Sequence, residues 1–150
     1  GGWHNGGMDS TLTDPLLRGP FTRVLIELRW GDLDAYGHIN NVAQFRILEE
    51  ARVRAAADLT GPFSTDTYAH VVRSLEVVYD AELTYTDSIE ARVWVSRIGN
   101  TSYQVSHELI QDGTACVFAT ATLVLIDVSQ RRPIPLPEDL KTRMRAHYSE

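Results

Sequence analysis

The sequence predicts an α+β fold in which a five-stranded antiparallel sheet wraps one long central helix, and three patterns carry that prediction. Apolar and polar residues alternate at period two in separate stretches between residues 22 and 128, the mark of strands with one buried face. One run, from Asn41 to Leu59, instead repeats its apolar positions at helical spacing. The dipeptides Gly99-Asn100 and Asp112-Gly113 are hairpin signals that join the last three strands into an antiparallel meander. The chain has 150 residues, 43% of them hydrophobic, which suits a single core. Gly1 to Gly7 reads as a vector-derived remnant ahead of a start at Met8, so residues 8–150 are expected to form one domain.

In chain order, residues 22–30 place Val24, Ile26, Leu28 and Trp30 on one face of a strand and Arg23, Glu27 and Arg29 on the other. Asn40 or Asn41 then caps the helix, Asn41 and Gln44 having the spacing of a capping box. The helix is expected to bury Phe45, Leu48, the stem of Arg52, Ala55, Ala56 and Leu59, and to end at Gly61-Pro62 after about five turns. Strands follow at 68–79, 88–98, 102–111 and 115–128. In the second of these, Glu90, Arg92, Trp94 and Ser96 share a face that is wet or lies at an interface. A short terminal helix over 137–148 opens at Pro137. One helix leaves sheet edges uncovered, and pairing with a second copy is the expected remedy.

Charge and cysteine content narrow the function. A net charge of −6 and a pI near 5.3 oppose nonspecific nucleic-acid binding, which needs a basic stripe to displace counterions. Of the 14 basic residues only Lys141 is a lysine, and the guanidinium fork of the others suits a phosphate-bearing small molecule. A single cysteine, Cys116, excludes a disulfide framework and a multi-cysteine zinc site and fits a reducing cytoplasm. No apolar run approaches the roughly 20 residues that cross a bilayer, so membrane insertion is not expected.

The chemistry concentrates in Trp30-Gly31-Asp32-Leu33-Asp34-Ala35-Tyr36-Gly37-His38-Ile39-Asn40-Asn41, between the first strand and the helix. Asp34 can attack a carbonyl carbon or draw a proton from water, whereas Asp32 reads as turn chemistry. His38 can orient water, hydrogen-bond a carbonyl oxygen or fix the loop. Asn41 acts through its backbone N–H, one of the unpaired donors that open a helix and meet developing negative charge. A metal held by Asp32, Asp34 and His38 has little support, because no second cluster with ligand spacing accompanies them. Glu49 and Glu50 with Arg52 and Arg54 are expected on a solvated or subunit-bridging face. His107 and Cys116 are read as packing residues.

These residues resemble the 4-hydroxybenzoyl-CoA thioesterase branch of the hotdog-fold superfamily, whose pattern W-G-D-x-D-x-x-G-H-V-N-N precedes a helix ending in E-E-A-R. Here the second part is Glu49-Glu50-Ala51-Arg52. The likeness extends from about Phe21 to Pro137, including the late stretch Arg131-Arg132-Pro133-Ile134-Pro135-Leu136-Pro137. It implies a hotdog homodimer or homotetramer with active sites at the dimer interface, the acyl chain alongside the helix, and no cofactor. It also implies that Asp34 is the catalytic carboxylate and that the N–H near Asn41 polarises the thioester carbonyl. The loop is similar as well to plant acyl-carrier-protein thioesterases, with His38 retained and Tyr36 where those carry Asn.

The expected function is therefore hydrolysis of a fatty or aromatic acyl thioester of coenzyme A, or of acyl carrier protein, to the free acid. Tyr36 and Gly37 are candidate substrate contacts, and Arg97, Arg131 and Arg132, with Arg92 beside them, are candidates for the coenzyme A phosphates. Two other readings stay open. An enoyl-thioester hydratase or dehydratase of the same fold would release no free thiol from a saturated acyl-CoA. A non-catalytic acyl-CoA binding module would bind without turnover.

Overall fold

The computed structural model describes residues 20–61 and 65–149, so Gly1 to Gly7 and Met8 lie outside the described residues. Strand β1 (Thr22–Glu27) leads through a single 3-10 turn (Trp30–Asp32) into helix α1 (Asn41–Leu59). Strands β2 (Tyr68–Tyr79), β3 (Ser88–Ile98), β4 (Ser102–Gln111) and β5 (Thr114–Asp127) follow, then helix α2 (Glu138–Arg145). All five strands form one antiparallel sheet in the order β1-β3-β4-β5-β2, the hotdog layout with α1 against its inner face.

Alternation decides which residues meet the helix. Val24 and Ile26 of β1, Ala91, Val93 and Val95 of β3, Val105 and Leu109 of β4, and Ala119, Ala121 and Leu123 of β5 are buried with Ile47, Leu48, Ala51, Ala55 and Leu59 of α1. Burying each Leu, Ile or Val contributes roughly 1.5–3 kcal/mol, so this one interface dominates stability. The turns behave as their residues require. Asp112 and Gly113 both take left-handed backbone, at φ 51° and 76°, the conformation of the two-residue turn whose twist matches the flanking strands. At Gly99 a Cβ would lie 2.9 Å from the Ser102 carbonyl oxygen, so the β3–β4 turn needs the missing side chain.

Five details depart from expectation. The first strand stops at Glu27 and Trp30 is 77% exposed, because the Asp32 carboxylate accepts the Arg29 N–H at 2.9 Å and draws the chain into its turn. Phe45 is half-exposed, since the buried stripe runs through Gln44, Ile47, Leu48, Ala51, Arg52, Ala55 and Leu59 and leaves Phe45 on the flank with Val42 and Val53. Arg52 is buried rather than solvated. On the outer face of β3, Trp94 and Glu90 are also buried, Trp94 against Phe21 and Glu90 in ion pairs with Arg23 and Arg92. The terminal helix is shorter than predicted, because Val95 instead receives the chain end, donating to His147 O and accepting from Ser149 N at 2.8 Å each.

Strand β2 forms one edge of the sheet and exposes Val71, Val72, Val78 and Tyr79. Its ladder to β5 runs from Tyr68 opposite Asp127 to Tyr79 opposite Val117, interrupted by an irregularity between Val72 and Ser74.

Two imidazoles are buried in the fold. His107 is fully buried, and desolvation, reinforced by the Arg52 guanidinium, pushes its pKa down to about 3. Burial lowers that of His70 too, whose Nδ1 lies 2.6 Å from the Tyr103 hydroxyl. In the unfolded chain an imidazole binds its proton at about pH 6.5. Between that pH and about 3 the unfolded state therefore holds more protons, and the stability present above pH 6.5 drains away as pH falls. Melting temperatures should be level above about pH 7 and fall below it, more gently in His107→Leu. Identical slopes for the variant and the parent would show that His107 contributes nothing to acid sensitivity.

Candidate active site

Three hydrogen-bonded closures shape the loop between β1 and α1. At its base the Asp32 carbonyl accepts from Asn40 N at 2.8 Å and from Asn40 Nδ2 at 2.9 Å. Within it, Asp34 N donates to His38 O at 2.8 Å and Gly37 N to Asp34 O at 3.2 Å. Gly37 sits at φ 80°, left-handed backbone that glycine adopts without steric cost. At its far side Ile39 N donates to Leu83 O at 2.8 Å, and Gln111 holds the neighbouring Thr84 through both its N–H, at 2.9 Å, and its carbonyl, at 2.8 Å.

The same residues start the helix. Asn40 is the N-cap, its Oδ1 accepting from Ala43 N at 2.8 Å. The expected capping partner, Gln44, instead donates Nε2 to Ile39 O at 2.9 Å. Asn41 is the first helical residue, so its N–H has no partner within the helix.

Asp34 is solvent-exposed, and its Oδ1 accepts from Tyr36 N at 2.8 Å and His38 N at 3.0 Å. Those two N–H groups hold its carboxyl below the usual carboxylate range. Among the described residues no hydrogen bond is directed to Oδ2. His38, half-buried, points Nε2 at Glu82 Oε2, 3.0 Å away.

Asp34, His38, Asn41, Gln44, Tyr79 and Glu82 line one cavity of about 580 Å³. The structure thus brings together the three residues expected to be catalytic. Sequence reasoning missed Tyr79, Asp80 and Glu82, which reach the cavity from the end of β2, some forty residues away. Nothing local marks them, since their place depends on Asp80 N and Ala81 N donating to the Cys116 carbonyl of β5.

The remaining candidates stand elsewhere. Tyr36, 85% exposed, and Gly37 form the tip of the loop outside the cavity lining. Arg97 pairs in register with Gln104, and Arg131 and Arg132 follow β5, so all three sit at the opposite end of the sheet. From Gln104 to Gln111 that is roughly 25 Å along β4. Asp32 turns away from Asp34 to bond Arg46, and no group of three His, Cys, Asp or Glu is placed to hold a metal among the described residues. Glu50 pairs with Arg46 and Arg54. Cys116 is buried, which pushes its thiol pKa up and keeps it protonated.

Residues 28–144 match the thioesterase-like superfamily. The chain belongs to that superfamily, and its chemistry is thioester hydrolysis. Among solved structures it is similar to a predicted thioesterase of Bacillus stearothermophilus, at 27% identity and a TM-score of 0.77 over 85% of this chain and 96% of that one. A thioesterase of Thermus thermophilus, solved with coenzyme A and zinc, matches at 27% identity and a TM-score of 0.72, over 84% and 98%. A thioesterase-superfamily protein of Jannaschia sp. CCS1 shares the fold with a TM-score of 0.81 at 20% identity, over 91% and 99%. None of the curated proteins compared with the sequence matches it.

Asp34→Asn keeps an acceptor for the Tyr36 and His38 N–H groups while removing the charge. Turnover should fall at least about 100-fold with an unchanged circular dichroism spectrum. Near-normal turnover in that variant would remove Asp34 from the chemistry. Alkylation of the folded protein should leave hydrolysis unaffected, because a buried protonated thiol is unreactive. Stoichiometric inactivation with the fold intact would point to a cysteine nucleophile instead.

Proposed function

We propose that the protein hydrolyses acyl-CoA thioesters to the free acid and coenzyme A, with Asp34 as the catalytic carboxylate. The observation that carries this reading is the convergence of the Asp34 carboxylate and the start of α1 on one cavity. A thioester carbonyl laid against the Asn41 N–H is polarised by that donor and by the helix dipole. Asp34 then takes a proton from the attacking water, which adds to the carbonyl carbon, and the tetrahedral intermediate collapses with departure of the thiolate. His38, steered by Glu82, orients the water or the loop, so His38→Ala is expected to cost roughly 10-fold in kcat, less than Asp34→Asn. Thiol release from saturated acyl-CoAs of graded length tests the activity itself. Turnover of enoyl thioesters without thiol release would favour a hydratase, and binding without turnover a sensor. Faster turnover of acyl carrier protein substrates would change the carrier. A single buried cysteine suits the reducing cytoplasm as its location.

The site is completed by a second copy. β2 offers an unpaired edge bearing exposed valines, and α1 exposes Val42, Phe45 and Val53. Two β2 strands paired antiparallel along their length would set Tyr68 of one beside Tyr79 of the other. Because Tyr68 lies opposite Asp127, Arg131 and Arg132 of the partner subunit then approach this chain's cavity and can meet the coenzyme A phosphates. The active species is accordingly a homodimer or a tetramer of such dimers. Light scattering should give at least twice the 16.8 kDa chain mass at assay concentration. An active monomer would refute the shared site. Alanine at both Arg131 and Arg132 should raise KM for acyl-CoA and spare short thioesters without a nucleotide; equal losses would assign the pair to structure.

A further inference from the structure

On the flank of α1 away from the cavity, the catalytic loop is tied to the helix a second time. Asp32 is 5% exposed, and its Oδ2 accepts from Arg46 Nη2 at 2.8 Å and from Arg29 N at 2.9 Å. A buried carboxylate requires a close counter-charge, and Arg46 supplies it, since the Arg29 guanidinium stands at 3.8 Å with most of its side chain in solvent. Asp32 also carries the base of the loop, because its carbonyl takes both hydrogen bonds from the N-cap Asn40. Arg46 is itself braced: Glu50 lies 3.4 Å from its Nη1, and Arg54 bridges from Glu50, at 3.2 Å, to the Leu25 carbonyl of β1, at 3.0 Å. The chain of contacts therefore runs from the free side of β1, along α1, to a residue two positions before Asp34.

We propose that Arg46 is a positioning residue for thioester hydrolysis, fixing through Asp32 where Asp34 stands relative to the start of α1. The inference rests on Asp34 being the catalytic carboxylate. Asn40 fixes the distance between the two ends of the loop; Arg46 fixes how the loop leans against the helix. Without Arg46 the Asp32 carboxylate turns outward to find water, carrying the Leu33-Asp34 backbone with it. Displacements of about 1 Å at a reacting group can cost on the order of 100-fold in rate. Arg46 is not among the residues that line the cavity and bonds Asp32 rather than Asp34, so its loss is expected to show in kcat rather than in KM.

The test is steady-state kinetics on an acyl-CoA for Arg46→Met, Arg46→Lys and the double variant Asp32→Asn, Arg46→Met, with melting temperatures alongside. Arg46→Met is expected to lower kcat about 10- to 100-fold with KM within about twofold, and Arg46→Lys to recover a substantial part of it. The double variant, freed of the unpaired carboxylate, should regain thermal stability without regaining kcat. The proposal is overturned if Arg46→Met keeps parental kcat, if its loss appears in KM alone, or if kcat recovers with stability in the double variant. Should Arg46→Met fail to fold, parental stability with lowered kcat in Arg46→Lys supports the proposal, and parental kcat there overturns it. An active Asp34→Asn would strike down the reading of the site itself, whereas an inactive Asp34→Asn beside a fully active Arg46→Met would strike down the positioning role alone.

Discussion

The pair of hydrogen bonds from Asn40 to the Asp32 carbonyl is the constraint on which the site depends. Asn40 closes the loop with its N–H and Nδ2 while its Oδ1 caps α1 at Ala43 N. Loop closure and helix initiation are thus one event carried by one side chain. This matters because nucleating a helix is unfavourable, and a cap already anchored to a strand exit removes part of that cost. It also leaves the Asn41 N–H in a fixed position relative to Asp34, so a carboxylate and a helix start separated by seven residues act on the same point in space.

Long-range contacts then wall the cavity. Gln111, at the end of β4, grips Thr84 through its amide, and the Cys116 carbonyl of β5 takes the N–H groups of Asp80 and Ala81. The segment carrying Tyr79, Asp80 and Glu82 is held beside the loop by the hairpin that Asp112 and Gly113 turn. The meander therefore does two jobs: its inner face buries α1, and one of its ends positions the second wall of the site.

The strands from Tyr68 onward, the helix and both hairpins were legible because each follows from local periodicity or from backbone that only certain residues adopt. The clustering of Asp34, His38 and Asn41 was legible too, since they are near neighbours in sequence and line one cavity. What could not be read were choices made by tertiary contact. Trp30 continues the apolar alternation of β1, yet the Asp32 carboxylate ends the strand before it. Phe45 fits a helical stripe as well as Ile47 does, and only the direction in which α1 faces the sheet separates them. Glu82, the partner of His38, belongs to a segment whose position is set by residues as distant as Gln111 and Cys116. Asp32 looks like one of many acids in a turn until Arg46, a turn and a half into the helix, is seen to bind it.

The two N–H groups that bracket Asp34 Oδ1 bear on how the protein meets acid. They keep the carboxylate ionised to a pH below that of an ordinary aspartate. The buried imidazoles meanwhile begin to favour the unfolded chain several units higher, because protons bind there and not in the core. On acidification the scaffold weakens while the Asp34 carboxylate is still charged. The acid limit of the fold is then a property of its interior rather than of the Asp34 loop.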